Sequence, residues 1–197
     1  MMNKNKFKPA KANSMLWIAS LFCAFSAFFI SCTNSTDTLF TQLNPDESGI
    51  DFTNKVENTD EMNIFNYRNF YNGAGVAIGD INNDGLSDIY IVANQGKNKL
   101  YLNKGNLNFE DITEKVGVGG SKGFSTGAVM ADVNGDGLLD IYVCNSGEIK
   151  GDDRANELFI NTSLLAPDGK IKELRFEEKA AEYGLRRQRI FDTFSVF

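Results

Sequence analysis

The chain has 197 residues, 42 % of them hydrophobic, with 26 acidic against 20 basic side chains and a formal charge of −6. It contains no histidine, which excludes Ser-His and Cys-His catalysis and any His-ligated zinc or iron centre. An acidic balance disfavours nucleic acid, whose phosphates need clustered Lys and Arg, and favours cations.

The N-terminus places Lys4, Lys6, Lys8 and Lys11 ahead of an apolar run at residues 15–30. Charge followed by a short apolar stretch is the layout of a secretory signal, and the run falls short of the roughly 20 residues a spanning helix needs. It ends Phe29-Ile30-Ser31-Cys32. A small residue then Cys resembles a bacterial lipoprotein signal, with Phe29 standing where Leu is usual. The expectation is a helical signal peptide at 1–31, lipidation of Cys32 and a tether at 32–38; the alternative is an ordinary signal with an incidental Cys. The expected location is the cell envelope, as an outer-membrane lipoprotein on the periplasmic or outer side, touching the membrane through its lipid alone. Cleavage removes four Lys and no acid, taking the charge from −6 to −10. Cys23 lies in the signal, so Cys144 stands alone in the folded part without an intramolecular disulfide. It reads as a small buried hydrophobe.

Residues 39–72 are mixed, and the aromatics Phe65, Tyr67, Phe70 and Tyr71 predict an extended segment packed on a sheet. Regularity starts at residue 73. Residues 75–78 and 89–92 read as buried strands on either side of an acidic loop; residues 99–103 and 108–111 form a third and fourth around Gly105-Asn106, and a helical turn follows at 112–118. The order then repeats. Residues 125–130 lead into a second acidic loop, 52 positions after the first, and 141–143, 157–161 and 175–179 supply its strands before a closing turn at 180–185. Inserts at 147–155 and 164–172 carry Gly, Pro and charge, as surface loops do. The units are 73–122 and 123–185.

Four short strands repeated every 40–50 residues or so mark propeller blades, each of which needs neighbours to bury its two faces. After residue 185 the repeat predicts a lead into another acidic loop; instead residues 186–197 begin Arg186-Arg187-Gln188-Arg189. The expectation is a truncated product of a longer repeat, with a natural tail as the alternative.

The first loop is Asp80-Ile81-Asn82-Asn83-Asp84-Gly85-Leu86-Ser87-Asp88 and the second Asp132-Val133-Asn134-Gly135-Asp136-Gly137-Leu138-Leu139-Asp140. Oxygen side chains fall at positions 1, 3, 5 and 9, with Gly at 6 for the reversal. Calcium takes 6–8 oxygens at about 2.3–2.6 Å, and position 7, Leu86 or Leu138, offers its carbonyl. An EF-hand would carry Glu at position 12 between helices; here Ile91 and Val143 stand there, flanked by strands. Ca²⁺ is the expected cofactor. The alternative is a pair of Asx-rich turns without metal.

These residues resemble the FG-GAP/VCBS repeats of integrin-α-like propellers: a small-residue strand, Asp-x-Asp/Asn-x-Asp-Gly-x-x-Asp, then an apolar strand. The run Asn63–Gly73 with Asn98–Asn103 is similar to the start of bacterial lipoproteins related to cartilage acidic protein, in which such repeats precede an ASPIC/UnbV-type domain. The resemblance implies an all-β fold, with about two four-stranded antiparallel blades of an incomplete seven-bladed propeller after the signal helix. It also implies metal ligation by Asp80, Asn82, Asp84, Leu86, Asp88, Asp132, Asn134, Asp136, Leu138 and Asp140. The expected function is a non-enzymatic surface module binding an unknown protein or glycan. Alternatives are a fragment of an envelope polysaccharide-acting enzyme, or a truncated product with no function of its own. No Gly-x-Ser-x-Gly nucleophile motif occurs, and Glu148, Asp152 and Asp153 read as a solvated charge run.

Overall fold

The computed structural model describes residues 39–121, 123–146, 154–167 and 170–185. The signal, Cys32, the tether, Glu148, Asp152, Asp153 and the 186–197 tail lie outside them. Two compact units, Met1–Gln42 and Leu43–Phe197, divide the chain, and the second carries the fold. No helix among the described residues is long and apolar enough to cross a membrane.

Strands β1 (Val76–Gly79), β2 (Asp88–Ile91), β3 (Lys99–Asn103) and β4 (Phe109–Asp111) form an antiparallel meander in sequence order. The second sheet runs β5 (Ser125–Ala131), β6 (Asp140–Asn145), β7 (Glu157–Asn161) and β10 (Phe176–Glu178). The expected all-β architecture of two four-stranded blades is therefore present. Alternation explains the pairing: β2 sets Asp88 and Tyr90 inward and leaves Ile89 and Ile91 half-exposed. Strand β7 is buried along its whole length, because it lies between β6 and β10 with apolar groups on both faces.

One face of each sheet meets the other. Ala77, Tyr90 and Leu100 of the first pack in one core with Ile141, Val143 and Phe159 of the second, joined by Ile112, Val116 and Val118. Burying each larger member is worth about 1.5–3 kcal/mol. The Tyr90 hydroxyl, carried into that core, donates to the Val118 carbonyl at 2.6 Å. The far faces are less covered: Val76 and Ile78 on β1 are 55 % and 66 % exposed, and Val129 on β5 is 49 % exposed.

Several expectations need correcting. Residues 63–71 are turns, not an extended strand. Of their aromatics, Phe70 is buried with Met62 and Phe124, and Tyr67 packs edge-on against Phe124, whereas Phe65 and Tyr71 are exposed. Asn63 and Asn66 favour local side-chain-to-backbone bonds over a ladder; Asn63 accepts from the Phe65 and Asn66 amides, and the Asn66 side chain donates to the Asp60 carbonyl. The insert at 164–172 is not merely a loop, because Leu164–Leu165 (β8) and Ile171–Glu173 (β9) pair as a hairpin. A short helix, α1 (Pro45–Ser48), precedes the sheets, and the helical turn after β4 narrows to α2 (Thr113–Val116). Cys144 is half-buried, and that burial pushes its thiol pKa up.

Residues 43–51 run past the start of β4 at the acidic-loop end, where the Glu47 carbonyl accepts from the Asn108 side chain, and residues 52–72 continue as a strap across the opposite sheet ends. Asp51 accepts from the Tyr101 hydroxyl (2.8 Å), and Asn54 pairs with Asn94, whose amide reaches the Gly73 and Ser125 carbonyls. Tyr67 bonds Ser146 at 2.7 Å.

Just ahead of β1, Gly75 lies against β5: a Cβ there would be 2.8 Å from the Gly127 Cα. Because that neighbour is main chain, it cannot swing aside. Gly75→Ala is expected to wedge the sheets apart and lower stability by about 1–3 kcal/mol, measured by urea unfolding.

Candidate functional site

The two acidic loops are the β1–β2 and β5–β6 connections, so each caps the two innermost strands of its sheet. Their hydrogen bonds repeat position by position. Asp80 accepts from the amides of Asp84 (3.0 Å) and Gly85 (2.8 Å); Asp132 accepts from those of Asp136 (3.1 Å) and Gly137 (2.9 Å), and also from Gly135 (2.7 Å). Asn82 and Asn134 each accept from the position-5 amide and donate to the position-5 carboxylate, at 2.8 and 2.9 Å. Asp84 and Asp136 accept from the Leu86 and Leu138 amides, both at 2.8 Å. Gly85 and Gly137 take φ of 87° and 84°, the left-handed reversal that favours glycine at position 6.

Position 9 is different in kind. Asp88 is buried and accepts from the Ile81 amide (2.9 Å) and the Asn103 amide (2.8 Å). Asp140 does the same with Val133 (2.9 Å) and Asn161 (2.8 Å). Burial pushes the Asp88 carboxyl up to about 6, against those two hydrogen bonds and with added repulsion from Asp84 and Asp80. The Asp140 carboxyl is also raised, again chiefly by burial and with Asp136 and Asp132 adding to it. Asp132, by contrast, is held below the usual carboxylate range, first by the Gly137 amide.

A hard divalent cation suits this donor set. Every side chain at positions 1, 3, 5 and 9 carries oxygen, and the repulsion felt at position 9 is what such an ion relieves. Each carboxylate oxygen bonded to one N–H retains a second lone pair. Among the described residues no group of three or more Asp, Glu or Cys side chains is spaced to hold a metal by itself. The carboxylates are turned to loop amides, and an ion would draw on Asn82, Asn134 and the Leu86 and Leu138 carbonyls as well. Leu138 is buried while Leu86 is 38 % exposed, so the two loops are not equally sheltered.

Residues 80–143, which span both loops from the first residue of one to β6, match the sequence model of the FG-GAP-like repeat. Over those residues the chain is similar to the FG-GAP-like repeat. A 73-residue stretch is 40 % identical to cartilage acidic protein 1 of Xenopus tropicalis, covering 37 % of this chain and 11 % of that protein. The Mus musculus and Homo sapiens proteins of the same name are 37 % and 36 % identical over 73 residues. The match thus takes in about a tenth of those relatives' length, 11 % in each. The matched residues take in both acidic tips and the strand β2 to β5 region between them.

At the strap end of the two sheets lies a cleft of about 310 Å³ lined by Tyr67, Asn69, Asn72, Gly73, Ala74, Thr126 and Ser146. None of these side chains is charged. Sequence reasoning did not place it, because it joins turns of the strap to strand β5 from far along the chain. It also missed Asn103 and Asn161, the residues that anchor position 9; the signal available was an Asn closing the third strand of both repeats.

The Asp88 shift has a testable sign. A carboxyl whose folded pKa lies above its unfolded value binds its proton more tightly when folded, so its ionisation costs stability. In chelator-treated buffer, the stability of the wild-type chain relative to Asp88→Asn should fall as pH rises from about 4 to about 6 and stay flat above. Urea unfolding at several pH values measures this, and a carboxyl-carbon NMR titration of Asp88 should show a midpoint near 6.

Proposed function

We propose that the chain is a calcium-binding, non-enzymatic propeller module of the cell envelope, anchored by lipid on Cys32, that binds a protein or glycan. The observation that carries the calcium reading is the matching of the two loops. Asp80, Asn82, Asp84, Asp88 and the Leu86 carbonyl correspond one for one with Asp132, Asn134, Asp136, Asp140 and the Leu138 carbonyl. The hydrogen bonds made by the side chains correspond as well. Turns without metal would need neither the full oxygen set nor a buried acid beside two others. Bound calcium would supply the positive charge that three carboxylates lack, which is a structural role: it stiffens the hairpin tips on which each blade is hung.

A neutral ligand at the strap end accords with the uncharged polar lining of the cleft there. The Asn69 and Asn72 carboxamides make no hydrogen bond within the described residues, and paired amides of this kind suit vicinal hydroxyls. An enzymatic reading has less support. The clustered acids are accounted for by the loops, and no carboxylate lines the cleft.

Isothermal titration with calcium tests the first part. Two sites are expected, at about 10⁻⁴–10⁻³ M as in extracellular modules, with one lost in Asp80→Asn/Asp84→Asn and the other in Asp132→Asn/Asp136→Asn. At about 10 mM calcium, a site with a dissociation constant of about 0.3 mM adds about 2 kcal/mol. Absence of both heat and thermal shift would overturn the reading. For the ligand, the calcium-loaded chain should be retarded on an immobilised neutral polysaccharide without releasing reducing ends; release would favour the enzyme instead.

A further inference from the structure

Asn103 and Asn161 end β3 and β7 and hold equivalent places in the two blades. Each donates its main-chain N–H to the position-9 carboxylate of its own loop, Asp88 or Asp140, at 2.8 Å. Each side-chain amide donates to the position-8 carbonyl of that loop, Ser87 at 2.9 Å or Leu139 at 3.1 Å. Each Oδ1 accepts the N–H two residues on, from Gly105 at 2.8 Å or Ser163 at 3.2 Å, and the equivalence stops there. Asn161 makes one bond more, from Nδ2 to the Ile81 carbonyl of the first blade's loop at 3.1 Å, 80 residues away in sequence. Ile81 in turn donates its N–H to Asp88 at 2.9 Å. A path of three hydrogen bonds thus runs Asp140–Asn161–Ile81–Asp88, linking the two position-9 carboxylates. Asn161 is 1 % exposed and Ile81 fully buried, so water cannot substitute for these bonds. At the loop tips the Asn83 amide also reaches the Gly137 carbonyl at 3.3 Å.

We infer that Asn161 is a positioning residue that couples the two loops, so that a divalent cation in one raises the affinity of the other. This rests on the calcium reading above. Both hydrogens of one planar carboxamide are committed, one to each loop, so Leu139 and Ile81 are held in a fixed relation. A cation that fixes Asp140 fixes the Asn161 main chain. The same residue's amide then holds Ile81, whose N–H orients Asp88. The coupling is reciprocal. Direct repulsion between two cations would act in the opposite sense, so the sign of the coupling tells the two apart.

Calcium calorimetry on four proteins tests it: the wild-type chain, Asp80→Asn/Asp84→Asn, Asn161→Ala, and the three changes combined. Disabling the first loop should weaken calcium at the second by about fivefold or more when Asn161 is present, and leave it unchanged when Asn161 is Ala. A residue that merely stabilised the fold would lower the melting temperature in both backgrounds without removing the difference. Should Asn161→Ala fail to fold, Asp80→Asn/Asp84→Asn alone carries the test. Filling its second loop with calcium should shift the Asn82 main-chain amide resonance, which reports on the Ile81 carbonyl. Equal affinities with and without the first loop, or an unmoved Asn82 resonance, would overturn the coupling. No calcium heat in any of the four would instead remove the calcium reading on which it stands.

Discussion

Asp88 and Asp140 each hold three strands at one point. Their oxygens take one N–H from the start of the loop, just after the inner strand, and one from the last residue of the third strand, while the Asp itself opens the second. Burying a carboxylate is costly, and it is tolerated here because two main-chain donors meet it. The other acids of the loop make that burial harder, which is the physical link between the fold and the ion proposed for it. Scaffold and acidic loop cannot be separated in this arrangement: what organises the hairpin tip also sets the spacing of its oxygens.

The inter-blade contact builds on the same points. The core between the sheets is ordinary apolar packing, and the main chain at Gly75, just ahead of β1, leaves no room for a side chain against Gly127 of β5. Packing alone would let two twisted sheets slide. The buried polar bonds at either end, Asn161 across the acidic loops and Asn94 beneath the strap, give that sliding a defined stop. Blade two differs from blade one in having the β8–β9 hairpin inserted before its outer strand, so pseudo-equivalent residues such as Asn103 and Asn161 have unequal surroundings.

Much of this was legible in the residues. Strands β3 and β7 fall at the residues that alternation and repeat alignment indicate, and the loop spacing located both turns. What escaped prediction falls into two kinds: local bonds that override composition, and partners far apart in sequence. Aromatic content at residues 65–71 suggested a strand, but local Asn side chains satisfy that backbone and leave Phe65 exposed. The second insert looked like a loop because Pro and Gly dominate its middle, while its ends pair. The roles of Asn94 and Asn161 lie in bonds spanning 31 and 80 residues, which no local pattern encodes.

The strap has an implication for how the chain reaches this arrangement. Its anchoring partners lie downstream, with Asn54 bonding a residue 40 positions later and Tyr67 one 79 positions later. Synthesis therefore delivers the strap well before the surface it fastens to exists. Closing such long loops is entropically slow compared with forming the neighbouring hairpins. The part held through Asp51 and Asn54 finds its partners by residue 101, whereas the Tyr67 end must wait for Ser146, so the latch shuts in two stages.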